Sequence, residues 1–165
     1  MAQTYTSAGT SINSGRLPAV YRKIPYGAGM VILDIGCGKY TDHIRSAIGQ
    51  TEYLPYDPYN QPDDVNNDTL SRLTHAIRSG IPVDVVCSNV LNVIDDEATL
   101  WEITGWIQHI IRGTGGTGYV TVYEGNRSGA GRQTGPDQYQ RNQPLRDYLK
   151  YFRNATIKKG MIVVG

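Results

Sequence analysis

Four short segments carry the residue types from which a ligand site can be built. Residues 31–38 read Val-Ile-Leu-Asp-Ile-Gly-Cys-Gly, an apolar run followed by an acid and two glycines. Val31 to Ile35 fits a strand buried on both faces. Gly36 and Gly38 permit a tight turn and let a ligand approach the main chain with no Cβ in the way. Asp34, at the strand tip, can accept hydrogen bonds from a cationic or amino-bearing ligand. Asp57 closes Tyr-Leu-Pro-Tyr-Asp about 20 residues further on, where a carboxylate can grip two ribose hydroxyls. Taken singly, these are also a plain glycine turn and a plain Asp-Pro turn. An acid at a second tip after a glycine-rich first tip says more than either alone. Ser88-Asn89-Val90-Leu91-Asn92 and Tyr123-Glu124 stand at two further tips.

Elements that would position these residues can be read along the chain. The segment before the first strand has helical spacing at residues 18–23, opened by Pro18 and ended by Pro25. Strands are expected at 30–35, 52–56, 83–88 and 119–123. Short and long helices are expected at 43–48, 69–79 and from the acids at 95–97 to Arg112, where those acids complement the helix dipole. Residues 58–68 read as a Pro/Asn/Asp-rich loop and residues 124–144 as a polar loop. A last helix is expected over 145–152. Residues 155–158 and 161–164 alternate around Lys159-Gly160, a hairpin pattern. Strands alternating with helices predict an α/β, Rossmann-like, mostly parallel sheet with helices on both faces and a C-terminal antiparallel hairpin. Residues 1–15, polar and rich in Ser, Thr and Gly, read as a flexible arm, and 16–165 as a single domain.

The order VILDIGCG, YLPYDPYN, DVVCSNVLNVIDD, a long helix, GGTGYVTVYEG and a closing hairpin resembles the class I S-adenosylmethionine-dependent methyltransferases. The resemblance covers nearly the whole chain. The strings DPYN, SNVLNV and YEGNRSGAGR…DQYQRNQP narrow it to small members found in bacteriophages and mobile elements. It implies a methyltransferase with S-adenosylmethionine as cofactor. By match of motif, Asp34, Gly36 and Gly38 would hold the methionine part and Asp57 the ribose. Ser88 and Asn89 would lie beside the methyl sulfonium. The family's third glycine position is Tyr40, which either narrows the pocket or packs on the cofactor. The stretch between Asp57 and Val83 is short by one strand–helix unit, and Asp68 stands where an adenine amino contact would be.

A pyrophosphate-bearing dinucleotide is the competing ligand. Its fold seats the phosphates on a third glycine at a helix N-terminus. Tyr40 fills that place, and Asp34 would repel phosphate while suiting a cationic sulfonium.

Methyl transfer from a sulfonium expels a neutral leaving group, so positioning supplies most of the catalysis and a base is optional. Asn89 and Glu124 are the candidates for the catalytic step. Glu124 is the best-placed acid for a base, with a turn acceptor as its plainer role. The third tip lacks the prolines and aromatic usual in amino-methylating DNA enzymes, and neither cysteine sits in a Pro-Cys loop. Cys37 and Cys87 read as packing residues. His43, His75 and His109 lie on separate helices with no metal spacing.

Substrate contact falls to the 125–144 loop, where Arg127, Arg132 and Arg141 alternate with amides and can clamp a phosphate. Tyr139 can stack on a base or anchor the loop. A loop of that length is usually functional or mobile. Residues 1–123 hold 8 basic against 12 acidic side chains, residues 124–165 hold 8 against 3, and the net charge is +1. That asymmetry suits either an anionic partner on one face or an unevenly charged surface. A nucleic acid or nucleotide is the first expectation for the acceptor, and a small metabolite the second. A cofactor-binding sensor or accessory protein, or an enzyme using the same cofactor for another reaction, are the alternatives. Two cysteines, no long apolar run and no apolar leader core predict a cytosolic chain with reduced thiols and no membrane span.

Overall fold

The computed structural model describes residues 3–6 and 16–165. Most of the arm expected over residues 1–15 lies outside these. Among the described residues the main sheet has six strands: β1 (Val31–Ile35), β2 (Glu52–Tyr56), β3 (Asp84–Ser88), β4 (Gly118–Thr121), β7 (Ala155–Lys158) and β8 (Met161–Val164). Their order is β2-β1-β3-β4-β8-β7. The first four are mutually parallel, and β8 enters antiparallel between β4 and β7. The hairpin therefore joins the sheet through its second strand, and β7 forms the edge.

β1 sits between β2 and β3 because the chain reverses direction there. It steps one way through α1 (Asp42–Ala47), then back across β1 through α2 (Asp63–Ser79) and onward through α3 (Glu97–Thr114). Right-handed crossovers then place helices on opposite faces. On one face Leu33, Val85, Cys87 and Val120 pack under α2, α3 and a 3-10 segment, Leu145–Tyr151. On the other, Ile32, Tyr53 and Val86 pack under α1 and a 3-10 turn, Ala19–Arg22. All five residues of β1 are buried, as a strand covered on both faces must be. The point of reversal, between the carboxyl ends of β1 and β3, is where ligands settle in such sheets.

Three expectations need correcting. α2 begins at Asp63 rather than at residue 69, so most of the expected 58–68 loop is helical. Pro62 followed by Asp63 and Asp64 is a helix start, with both acids facing the positive end of the dipole. The 124–144 segment is not wholly loop: β5 (Arg132–Gly135) and β6 (Gln138–Gln140) form a separate two-stranded antiparallel sheet. β4 stops at Thr121, which leaves Tyr123 off the sheet and 64% exposed.

Candidate ligand site at the strand tips

The glycine turn after β1 is closed by its own hydrogen bonds. Gly36 N donates to Tyr56 O at 2.8 Å, Cys37 N to the same oxygen at 3.3 Å, and Gly38 N to Asp57 Oδ2 at 3.0 Å. Both glycines have positive φ, +71° and +77°. A Cβ at Gly36 would lie 2.4 Å from Val90 Cγ2, so its small size lets the loop after β3 pack on the first tip. With the three N–H groups occupied, the turn offers no cradle for a phosphate. The helix that follows, α1, has only six residues and opens on Asp42.

Asp57 is the hub of the second tip. Oδ1 accepts from Tyr59 N and Asn60 N, each at 3.0 Å; Oδ2 accepts from Gly38 N at 3.0 Å and Asn60 Nδ2 at 3.1 Å. Asn66, on the first turns of α2, fixes the Asp57 backbone from both sides. Its Oδ1 accepts from Asp57 N and its Nδ2 donates to Asp57 O, both at 3.0 Å. These contacts fill the carboxylate's lone-pair directions. Because Asn60 Nδ2 faces Asp57, Asn60 Oδ1 is turned away, and it is buried without a partner among the described residues.

At the third tip Ser88 Oγ accepts from Thr121 Oγ1 at 3.0 Å. Asn89 holds φ +56°, with its N–H donating to Thr121 O at 2.9 Å. Asparagine tolerates this left-handed conformation better than most residues. Beyond it runs a chain with a forced direction. Gln140 Nε2 donates to Tyr123 O at 2.9 Å, so Gln140 Oε1 must accept, and does so from Asn92 Nδ2 at 3.1 Å. Asn92 Oδ1 is then left buried and unpartnered among the described residues.

Gly36, Gly38, Asp57, Ser88 and Asn89 line one cavity of about 1810 Å3 at these tips. It has two unlike halves. On the α2 and α3 side the wall is Tyr56, Leu70, Ile103 and Trp106, with the Tyr56 and Trp106 rings edge to face at 5.1 Å. On the side of the N-terminal turn and the β5–β6 hairpin the wall is Arg16, Arg22, Tyr123, Thr134, Gln138 and Tyr139. The described N-terminal residues reach that hairpin. Thr6 donates from N and Oγ1 to the two Asp137 oxygens at 2.8 and 2.7 Å, and Tyr5 stacks on Tyr139 with centroids 5.6 Å apart.

The remaining expected site residues stand elsewhere. Asp34 does not line the cavity; it is 4% exposed and accepts from Tyr53 Oη at 2.6 Å and Tyr21 Oη at 2.9 Å. Burial pushes its carboxyl up to about 6; the Tyr53 and Tyr21 hydroxyls oppose that rise, and the Asp57 charge adds to it. Tyr40 is exposed outside the cavity. Asp68 lies on the outer face of α2, paired with Arg72 at 3.0 Å. Glu124 accepts from Leu145 N at 2.7 Å, at the start of the 3-10 segment, and does not line the cavity.

None of the three expected loop arginines lines the cavity either. Arg127 is exposed, 3.8 Å from Glu124, and Arg132 is exposed on β5. Arg141 is spent on structure: it donates to Ile94 O at 2.9 Å, Asp95 O at 3.4 Å, Gln143 Oε1 at 3.2 Å and Glu97 Oε2 at 3.0 Å. Tyr139 alone of that set lines the cavity. Cys37 and Cys87 are both buried, and burial, then the Asp34 charge, pushes each thiol well up, away from thiolate chemistry. Among the described residues no group of His, Cys, Asp or Glu could hold a metal, and no helix is long and apolar enough to cross a membrane.

The site also uses residues with little local signal. Asn60 and Asn92 belong to the expected second- and third-tip strings but were given no role there. Trp106 sits at an ordinary helix position, and Arg16 and Arg22 precede β1 in a segment with no motif. No protein-family model and no curated protein matches the chain.

Proposed function

We propose that this protein is an S-adenosylmethionine-dependent methyltransferase whose cofactor spans the first, second and third strand tips. One observation carries the reading. Gly36, Gly38, Asp57, Ser88 and Asn89 share one cavity, on a turn with no N–H left for a phosphate. Of the five buried side-chain atoms without a hydrogen-bond partner among the described residues, two, Asn60 Oδ1 and Asn92 Oδ1, support it further, because both residues line that cavity. Each is an unmet acceptor, and an unmet buried acceptor costs about 1–3 kcal/mol. A ligand carrying ribose hydroxyls and amino groups meets that demand after a small shift of either amide; phosphate oxygens, being acceptors, do not. The aromatic half of the cavity offers a flat, apolar wall to a base.

Asp57 fits the ribose with one change. Its oxygens are occupied, and the Asn60 side-chain N–H at 3.1 Å is the donor a ribose hydroxyl would replace. Asp34 acts from below the turn: its buried charge favours a cation in the cavity over an anion. Bound S-adenosylmethionine supplies a methyl group on a sulfonium that departs as a neutral thioether. The chain's part is to hold the acceptor in line with that methyl, which Asn89, displayed at the tip by its left-handed backbone, is placed to do. Glu124 is occupied as a cap, so the reading assigns it no proton transfer.

That occupied Glu124 also favours a second reading, a protein that binds the cofactor without transferring its methyl. Incubating the protein with methyl-labelled cofactor and a cell extract separates the two. Methyl transfer predicts a labelled acceptor and release of the demethylated cofactor. Binding without label or product supports the non-catalytic reading.

A further inference from the structure

The polar half of the cavity holds a second set of side chains that, Asn89 apart, the cofactor reading leaves unused. Arg16 and Arg22 edge it, and neither is in an ion pair or side-chain hydrogen bond among the described residues. An arginine left without a carboxylate beside a cavity is a ready bidentate partner for a phosphate. Tyr123 lines the same half, 64% exposed and without an aromatic partner among the described residues. Tyr139, by contrast, already has a face covered by Tyr5. The side-chain amides of Asn89 and Gln138 line the wall with no hydrogen-bond partner among the described residues, each offering both donors and an acceptor. The space suffices: about 1810 Å3 exceeds the roughly 300–1,000 Å3 typical of a pocket for one small ligand.

The geometry points to a nucleotide site in this half. Arg16 and Arg22 hold the phosphate, Tyr123 stacks on the base, and Asn89 and Gln138 read its polar edge. The role of that nucleotide as methyl acceptor rests on the proposed function; its binding does not. The phosphate-bearing unit can come free in solution or as one residue of a single strand, and the site chemistry is the same. The cationic contact is assigned to Arg16 and Arg22 rather than to Arg127, Arg132 and Arg141.

Titration calorimetry of the full chain tests this with the four common nucleoside 5′-monophosphates and a short single-stranded oligonucleotide, without S-adenosylmethionine. Binding is expected, weakened roughly ten-fold or more by R16Q/R22Q and by Tyr123→Ala. For the oligonucleotide, R16Q/R22Q should lower the salt slope by roughly 1.4. R127Q/R132Q should leave binding unchanged. Uptake of monophosphates identifies the free source, uptake of the oligonucleotide alone identifies the strand, and either supports the site. No binding by the folded protein, binding indifferent to R16Q/R22Q, or binding lost in R127Q/R132Q overturns it. A parallel titration with S-adenosylmethionine keeps the two readings apart. Nucleotide binding without cofactor binding overturns the methyl-transfer reading alone, and the reverse overturns this site alone.

Discussion

At the first strand tip, burial works against the Asp34 carboxylate while the Tyr53 and Tyr21 hydroxyls work for it, and burial prevails. With its carboxyl at about 6 in the folded chain and about 4 unfolded, the folded state binds this proton more tightly. Its contribution to stability is therefore full below pH 4 and lost as the pH rises to 6, by at most about 3 kcal/mol. Asp34→Asn keeps an acceptor for the tyrosines and removes the titration. Denaturant unfolding from pH 4 to 7 should show the variant gaining on the parent by up to that amount; a constant difference would contradict it. Gly36 makes a second prediction. Gly36→Ala must hold an L residue at φ +71° and push Val90 aside, costing about 1–2 kcal/mol for the backbone and about 1–3 for the overlap. Val90→Ala in the same chain should return the overlap part. A double-mutant cycle should read a coupling of about 1 kcal/mol or more, and strict additivity would refute the contact.

Elements are joined here by side chains that local pattern does not reveal. Arg141, just past β6, ties the hairpin to the start of α3 through two main-chain carbonyls and Glu97. Arg141→Ala should cost about 2 kcal/mol by urea unfolding. Arg141→Lys should recover little, because an ammonium cannot span the fork. Full recovery by lysine would show that charge alone matters. The β5–β6 hairpin escaped sequence reading because Arg-Gln-Thr-Gly and Gln-Tyr-Gln have no apolar alternation. What holds it comes partly from afar, Tyr5 on Tyr139 and Asn92 on Gln140, and partly from a side chain that closes its base, Asn142 Nδ2 on Ala130 O at 2.9 Å. The early start of α2 was legible in Pro62-Asp63-Asp64, but the polar composition of 58–68 outweighed it. That early start carries Asp68 onto an exposed helix face, away from the cavity, and puts Asn66 where it grips Asp57.

For the molecule as a whole, alternation of apolar strands with amphipathic helices was enough to foresee the mostly parallel sheet and its closing hairpin; the reversal beside β1 comes from the strand order. The tips Gly36, Gly38, Asp57, Ser88 and Asn89 were legible because each ends a strand, and strand ends converge in such a sheet. Arg16, Arg22 and Trp106 were not, since they meet only when the segment before β1 and helix α3 close around the same space. The central claim is that this shared space takes S-adenosylmethionine. Titration calorimetry of the full chain with S-adenosylmethionine and its demethylated product tests it most directly, set beside Asn60→Ala. That variant removes the orphan oxygen and one donor to Asp57 while sparing its three main-chain donors. The account predicts one saturable site, weakened roughly ten-fold in Asn60→Ala with cooperative unfolding retained. A folded protein that binds neither compound, or binds both as tightly after Asn60→Ala, would contradict it.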